Sequence, residues 1–348
     1  MFDSSQKTSF GLDLSDLSFK IVQFKKKKDG LHLSSFIKQD IPQGLIDGGE
    51  IKKEKELVSI LKKTLTKMKV GNRVICNLPE EKVFIRIIQL PKMKENELEK
   101  AINWEAEANI PLGIDEVYLG WQVIDPIFEH IDHLDILIAA TPRKLVDNYL
   151  SLLRKSGLEP IALEPESASI VRSLMTKDDL TPSIIVDMGA NGSNFVIFSA
   201  LAIRFTSHIN ISGQLLNQAI MEELKVSEKE ANQLKINVGL DKQKEKGAVY
   251  KALEPIVNDL ADQINNYITF YHEHATHVHG PDGAIGQIVL CGGDSLLLNL
   301  PELLSEKLKL PVKMGDSLAN APSKNTTLSK KESFKYTTAI GLALKNFL

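Results

Sequence analysis

A short apolar strand that ends in aspartate, turns back within a few small residues and returns as a second apolar strand occurs twice in this chain. The first copy runs Ser9 to Leu14 and Ser18 to Phe24, with a third run at Leu31 to Ile37. The second runs Ser183 to Asp187, Asn194 to Ser199 and Leu201 to Ser207. Laid over each other without a gap, Asp13 falls on Asp187 and Ser15 on Gly189. The run Ile21-Val-Gln-Phe24 falls on Phe195-Val-Ile-Phe198. Alternation of this kind marks a β-meander. Its return far along the chain points to a duplicated pair of α/β domains facing one another.

Helical and strand patterns fill the rest. A polar linker carries Gly44, Gly48 and Gly49, and Leu57, Leu61, Leu65 and Met68 then give an amphipathic helix stripe. From residue 74 to 158 the order reads β-β-α-β-β-α, an inserted subdomain. Its strands are Val74 to Leu78, Val83 to Leu90, Tyr118 to Ile124 and Asp135 to Ala140. Its helices are Glu95 to Asn109, stopped by Pro111, and Pro142 to Ser156, capped by Gly157. Beyond Gly213 the chain reads as helical, with Ile256, Leu260, Ile264 and Ile268 recurring every four residues, and Phe270 and Tyr271 belong to that core. A short buried strand, Ile288 to Cys291, leads through Gly292-Gly293-Asp294-Ser295 into a helix from Leu296 to Leu304. A polar loop spans 319–333, and Phe334 to Phe347 reads as a closing helix. The resulting division is a first lobe over 1–73 with a return at 159–180, the insert over 74–158, and a second lobe over 181–333. The second lobe holds a helical part at about 214–284, and 334–348 closes on the first lobe.

The chain has 348 residues, enough for two or three domains, and its 43% hydrophobic and 25% charged content is that of a soluble globular protein. A net charge of −3 gives no general attraction to nucleic acid or anionic lipid. The basic run Lys25 to Lys28 precedes Asp29-Gly30 and reads as a solvated hairpin tip. Cys76 and Cys291 sit in apolar runs and read as reduced, buried thiols of a cytoplasmic protein. No stretch approaches a bilayer-spanning length, and the first residues lack the apolar core of a signal peptide. Any membrane association is therefore expected through a partner.

Three small-residue turns follow buried strands: Asp13-Leu14-Ser15, Asp187 to Ser193, and Gly292 to Ser295. An aspartate at a strand end, beside the N–H groups of a tight turn, can hold Mg²⁺ through water while those N–H groups hold phosphate oxygens. Glycine lets the backbone approach a phosphate without a Cβ in the way. Two such turns across a cleft can clamp a triphosphate from both sides.

These turns resemble the phosphate-1, phosphate-2 and adenosine motifs of the actin, Hsp70 and sugar-kinase superfamily. Over nearly its whole length the chain resembles the PilM family of type IV pilus assembly proteins. The resemblance is carried by Phe10 to Ser15 with Phe19-Lys-Ile-Val22, by Val83 to Pro91, and by Ala101 to Pro111 with its Trp104-Glu105-Ala106 core. Glu164 to Ala168, Glu230 to Lys235 and Leu290 to Ser295 complete it. It implies an actin-like (ribonuclease H-like) duplicated fold binding ATP and Mg²⁺. Asp13 and Asp187 would position Mg²⁺ through water. Ser15, Lys20, Gly189, Asn191 and Ser193 would lie near the phosphate tail, and Gly213 and Lys235 would approach the ribose and base. Gly292, Gly293 and Asp294 would carry the adenosine. Glu164 or Glu166, with Glu166 preferred, would orient the attacking water as a catalytic residue.

The chain departs from the family pattern at four places. Ser15 and Asp294 stand where glycine is common, Ser212-Gly213-Gln214 thins a double-glycine turn, and Asn232 replaces an acid three residues before Lys235. The resemblance therefore implies nucleotide binding with weak or no ATPase activity. It also implies a scaffold peripheral to the inner membrane, serving twitching motility. The cytoplasmic N-terminal segment of a PilN-like membrane protein would dock between the first lobe and the insert near Trp104. An FtsA-like filament protein or a small-molecule kinase of the same superfamily stands as the alternative. The chain ends at Leu348 without the basic amphipathic helix that the FtsA reading expects. The histidines at 272, 274, 277 and 279 read as a helix fraying into a loop. His130 and His133, with Asp132 and Asp135, are likewise not read as a metal site.

Overall fold

A computed structural model describes residues 9–28, 30–68, 70–124, 133–274, 283–321 and 327–348; the side chains of residues 95, 96 and 274 also fall outside the description. Two five-stranded sheets form the frame. The first orders as β3 (Gly30–Asp40), β2 (Ser18–Lys27), β1 (Phe10–Leu14), β6 (Arg73–Leu78) and β10 (Glu159–Pro165). The second orders as β13 (Ala202–Ile209), β12 (Ser193–Ser199), β11 (Ser183–Met188), β14 (Gln287–Cys291) and β15 (Val312–Met314). Each is an antiparallel meander followed by two parallel strands. The repeat seen in the meanders thus extends through all five strands. Registers repeat as well: Asp13 pairs with Lys20 across β1 and β2, and Asp187 with Asn194 across β11 and β12.

The central strands are apolar on nearly every residue because both faces are covered. Phe10, Leu12, Phe19 and Ile21 are buried in one lobe, and Ile184, Val186, Phe195 and Ile197 in the other. A small hairpin, β4 (Ile46–Asp47) with β5 (Glu50–Ile51), interrupts the linker before α1 (Glu54–Met68). The basic run belongs to β2 through Lys27, and residue 29 of its turn lies outside the described residues.

The insert is narrower than the pattern over 74–158 suggests. β6 pairs with β1 and β10, so it is a first-lobe strand. The helix α3 (Arg143–Lys155) buries Leu145, Val146, Tyr149, Leu152 and Leu153 in the first-lobe core. What remains is β7 (Phe84–Pro91), α2 (Glu95–Asn109), β8 (Val117–Ile124) and β9 (His133–Pro142), in sheet order β7-β9-β8. This unit has its own core of Ile88, Leu98, Ile102, Ala106, Ile136 and Ile138. Trp104 lies on the other face of α2, 76% exposed.

In the second lobe, α5 (Gly213–Leu224), α6 (Glu228–Asn237), α7 (Ala248–His274) and α8 (Leu300–Leu308) share one core with the sheet. Tyr271 joins that core, whereas Phe270 stays partly open while stacking on Phe205 at 4.9 Å. α8 starts later than the sequence suggests. The turn after β14 forms a single 3₁₀ turn at Gly293–Leu296, and Asn299, with a left-handed backbone, and Pro301 open the helix proper.

The chain closes with α9 (Lys330–Ser333) and α10 (Thr337–Leu344), the latter buried all round. α10 lies between β1 and α4 (Glu166–Leu174). Two glycines permit the approach: a Cβ on Gly11 would strike Ala339 O, and one on Gly341 would strike Ser169 O. The element that positions Glu166 is thus held against the first acidic strand.

α7 ends at His274, and the histidines at 277 and 279 lie outside the described residues. So do His130 and Asp132, whereas Asp135 accepts from Arg204 of the second lobe at 2.8 Å. No helix among the described residues is long and apolar enough to cross a membrane.

Candidate functional site

Between the lobes lies a cleft of about 690 Å³. Its walls include Asp13 at the end of β1, Asp187 on β11, Lys20 on β2 and Glu166 at the start of α4. The two aspartates come from the two copies of the repeat, as the sequence pairing requires.

Lys20 donates to Asp13 at 2.7 Å. Burial alone would lower the Lys20 pKa, but the Asp13 carboxylate, together with the charges of Asp187 and Glu166, raises it overall. The cleft nevertheless has more negative groups than positive ones. Burial, reinforced by the Asp13 charge, pushes Asp187 up to about 6. Burial and the charges of Asp13, Asp187 and Glu80 hold Glu166 well above the ordinary carboxylate range. Burial raises Glu80 too, although Ser167 and Thr206 pull it down. Such shifts gather Lys20, Asp187, Glu166 and Glu80 as perturbed groups in one cleft, the pattern of a functional site. Among the described residues no three His, Cys, Asp or Glu side chains converge as direct ligands. Asp13 and Asp187 instead form a facing pair suited to holding a divalent ion through water.

Glu166 touches both lobes. Its Oε1 accepts from Asn77 Nδ2 at 2.8 Å and its Oε2 from Asn194 Nδ2 at 2.7 Å. Asn77 sits on β6 and also clamps the first turn, accepting from Leu14 N–H at 2.7 Å. Asn194 is the repeat counterpart of Lys20. Because its Nδ2 donates to Glu166, its Oδ1 faces His208 Nδ1 at 2.7 Å as the acceptor, so that ring nitrogen carries the proton. Glu164, the other acidic candidate, binds Arg172 and Lys345 and belongs to the α10 contact. The two glutamates diverge because the chain leaves β10 at Pro165 and Glu166 opens a helix.

The two turns meet across the cleft through Asn191 Nδ2, which donates to Asp16 Oδ2 at 3.0 Å. Asp16 also accepts from Gly48 N–H at 2.9 Å and Gly49 N–H at 3.0 Å, which explains the glycine pair in the linker. Ser15 lines the cleft, and its hydroxyl donates to Ser18 O at 2.9 Å, tightening its own turn. Ser193 is fully buried, and its hydroxyl donates to Ile211 O at 2.6 Å; the structure does not bring it to the cleft wall. Gly189 and Asn191 do line the cleft.

The residues that the resemblance assigns to adenosine also converge. Gly292 takes a left-handed backbone with φ +85°, and a Cβ there would strike Met188 O. Gly293 and Asp294 follow on the wall. Ser212 caps α5 by accepting from Leu215 N–H at 3.1 Å, which sets Gly213 at the helix start. A capping box between Ser227 and Glu230 starts α6 and fixes the phase that turns Lys235 inward. Lys235 Nζ meets Asp294 Oδ1 at 2.6 Å.

Sequence reading missed Asn77, Glu80, Asp16, Asn194 and His208. Asn194 was legible as the repeat partner of Lys20. Glu80 is 4% exposed, and its Oε1 has no hydrogen-bond partner among the described residues. No local pattern distinguishes it from Glu81.

A family model described as type IV pilus assembly protein PilM matches residues 11–347. A structure solved as a PilM–PilN type IV pilus biogenesis complex is similar at TM-score 0.80 and 22% identity, covering 98% of this chain and 99% of that one. The ethanolamine utilization protein EutJ from Carboxydothermus hydrogenoformans is similar at TM-score 0.56 and 12% identity, over 97% of this chain and 89% of that one. MreB 5 of Spiroplasma citri, bound to AMPPNP, is similar at TM-score 0.54 and 13% identity, over 99% of this chain and all of that one. At these identities the structures establish the actin-like fold.

Proposed function

Because the chain belongs to the family of the type IV pilus assembly protein PilM, we propose that it is an ATP-binding scaffold of the pilus assembly machinery that works through nucleotide-dependent contact between its lobes. The observation that carries this reading is the facing pair Asp13 and Asp187, with Glu166 hydrogen-bonded to both lobes beside it.

The residues fit a magnesium–triphosphate group. The cleft has surplus carboxylate charge, glycine turns that allow close backbone approach, and a lysine aimed at Asp13. When bound, Mg²⁺ would neutralise charge on the phosphates. Asp13 and Asp187 would hold it through water, Lys20 would face the phosphate tail, and the Asn191 turn would close over it. Glu166 would hold a water or its proton, its carboxyl pKa raised by burial and by the charges of Asp13 and Asp187. Its two amide partners keep it fixed, which favours binding and slow turnover over rapid hydrolysis.

The partner reading rests on the insert. In the PilM–PilN complex the related protein assembles with PilN. For this chain a PilN-like inner-membrane protein would dock its cytoplasmic N-terminal segment against the insert near the exposed Trp104, keeping the scaffold cytoplasmic and at the membrane. Nucleotide can influence that docking only by binding one lobe arrangement better than another. The cleft reading is tested by calorimetric titration of Mg-ATP into the native protein and into Asp187→Ala. Saturable binding lost in the variant supports it, and absence of binding by the native protein refutes it. Titration of a PilN N-terminal peptide with and without Mg-ATP tests the partner, and no binding in either condition refutes it.

A further inference from the structure

The basic run takes no part in the cleft. Lys25, Lys26 and Lys27 end β2, Lys28 follows, and all four are exposed. Across the hairpin Lys25 pairs with His32, Lys26 with Leu31 and Lys27 with Gly30, so no acid stands opposite them. Successive strand residues project to opposite faces, so both faces of the tip carry positive charge. The two other lysines of this meander are neutralised, Lys20 by Asp13 and Lys38 by Asp40, each at 2.7 Å. None of the four at the tip has an ion-pair partner among the described residues.

Charge is also segregated along the sheet. The described acids of the meander, Asp13, Asp16 and Asp40, all line the cleft. β2 starts beside them and runs away, and Lys27 lies seven residues beyond Lys20, roughly 23 Å at about 3.3 Å per residue. That exceeds the screening length of about 10 Å at 0.1 M salt, so these acids do not offset the tip. The hairpin is stiffly backed as well. Phe24 is buried with Tyr336, Ile340 and Leu344, and Leu31, Leu33 and Phe36 pack against the same cluster.

A stiff tip of unpaired lysines, on a chain whose net charge is −3, meets an anionic surface while the rest of the molecule is held off. Shape favours one such surface. The described tip residues, 25–28 and 30–33, include no Phe, Tyr or Trp on which a base could stack. A narrow hairpin has no groove to follow a nucleic-acid backbone, whereas a planar array of lipid phosphates requires neither feature. We propose that the tip Lys25–Lys28 is a direct docking surface for an anionic membrane and fixes which pole of the first lobe faces the bilayer. Each lysine near such a surface contributes about fivefold in affinity, so the contact is weak alone and adds to any tether supplied by a membrane partner. It is independent of the reading of the cleft.

The test is co-sedimentation of the full chain with vesicles of phosphatidylcholine, alone or with about one-third phosphatidylglycerol, at about 50 mM and about 500 mM salt. Binding is expected on the anionic vesicles at low salt, and should be at least about tenfold weaker at high salt or on neutral vesicles. The fourfold variant Lys25→Gln, Lys26→Gln, Lys27→Gln, Lys28→Gln should bind at least about tenfold more weakly. A control with the same change in net charge, Lys55→Gln, Lys62→Gln, Lys63→Gln, Lys67→Gln on the exposed side of α1, should stay within about threefold of native. Melting transitions confirm that both fold. If the tip variant does not fold, Lys26→Glu alone should weaken binding about tenfold and replaces it. No binding of native protein to anionic vesicles overturns the proposal. Unchanged binding by a folded tip variant overturns it, and so does an equal loss in the α1 control, which would make net charge the cause. Tip-dependent binding to random duplex DNA that is tighter than to the vesicles overturns it in favour of nucleic acid.

Discussion

Asp187→Asn keeps the shape of a cleft side chain and removes a charge that the folded cleft disfavours. Asp187 titrates at about 6 in place of 3.8, and raising a carboxyl pKa by one corresponds to about 1.4 kcal/mol against its ionised form. Ionised Asp187 thus costs the ligand-free fold about 3 kcal/mol above pH 7. The sign is that of a raised carboxyl. Its contribution to stability is fully present below pH 3.8 and is lost as pH rises through about 6. Asparagine does not titrate, so in chelator-containing buffer the variant should exceed the native protein by about 3 kcal/mol at pH 8. By the same linkage the gain should be about half that at pH 5 and near zero at pH 3.8. With an unfolding entropy of about 2 cal/mol/K per residue, the pH 8 gain corresponds to a melting temperature about 4 °C higher. Differential scanning calorimetry across this range reads the effect directly. The same variant should lose the stabilisation that Mg-ATP gives the native protein. A variant less stable than native at pH 8, or a difference that does not change with pH, would refute the electrostatic reasoning.

Three further outcomes are expected. In Glu166→Gln only one of Asn77 and Asn194 keeps its acceptor, so phosphate release from Mg-ATP should fall about 100-fold with ATP affinity retained; unchanged release in a stopped-time phosphate assay would mean that Glu166 only joins the lobes. Gly341→Ala drives a methyl into Ser169 O and should destabilise by about 3 kcal/mol, whereas Gly71→Ala, with nothing within 4 Å, should melt with the native protein. Trp104→Ala should leave stability within about 0.5 kcal/mol because the side chain is 76% exposed. It should weaken a PilN-segment peptide more than tenfold by fluorescence anisotropy, and unchanged affinity would place the docking surface elsewhere.

Sequence alone determined the features written in local patterns. The two aspartate turns lie at equal distances from their return strands, so the lobe pair and its facing carboxylates were readable without any tertiary structure. Period-two alternation marked the meanders, and a helix stopped by Pro111 marked the insert, while the outward position of Trp104 came from the structure. Tertiary structure decided everything that depends on pairing across distance. Residues 74–78 read as an insert strand until their pairing with β1 and β10 placed them in the first sheet, because strand periodicity does not name a partner. Ser193 matched a motif but spends its hydroxyl on Ile211 O, a bond invisible in sequence. Glu164 and Glu166 stand two residues apart, yet one serves Arg172 and Lys345 and the other the cleft. Asn77, Glu80 and His208 come from a strand end, a 3₁₀ turn and an edge strand, and only the fold brings all three to the wall of one cleft or to a side chain on it. Local sequence sets which way a residue can point; the long-range packing of two sheets sets what it meets there.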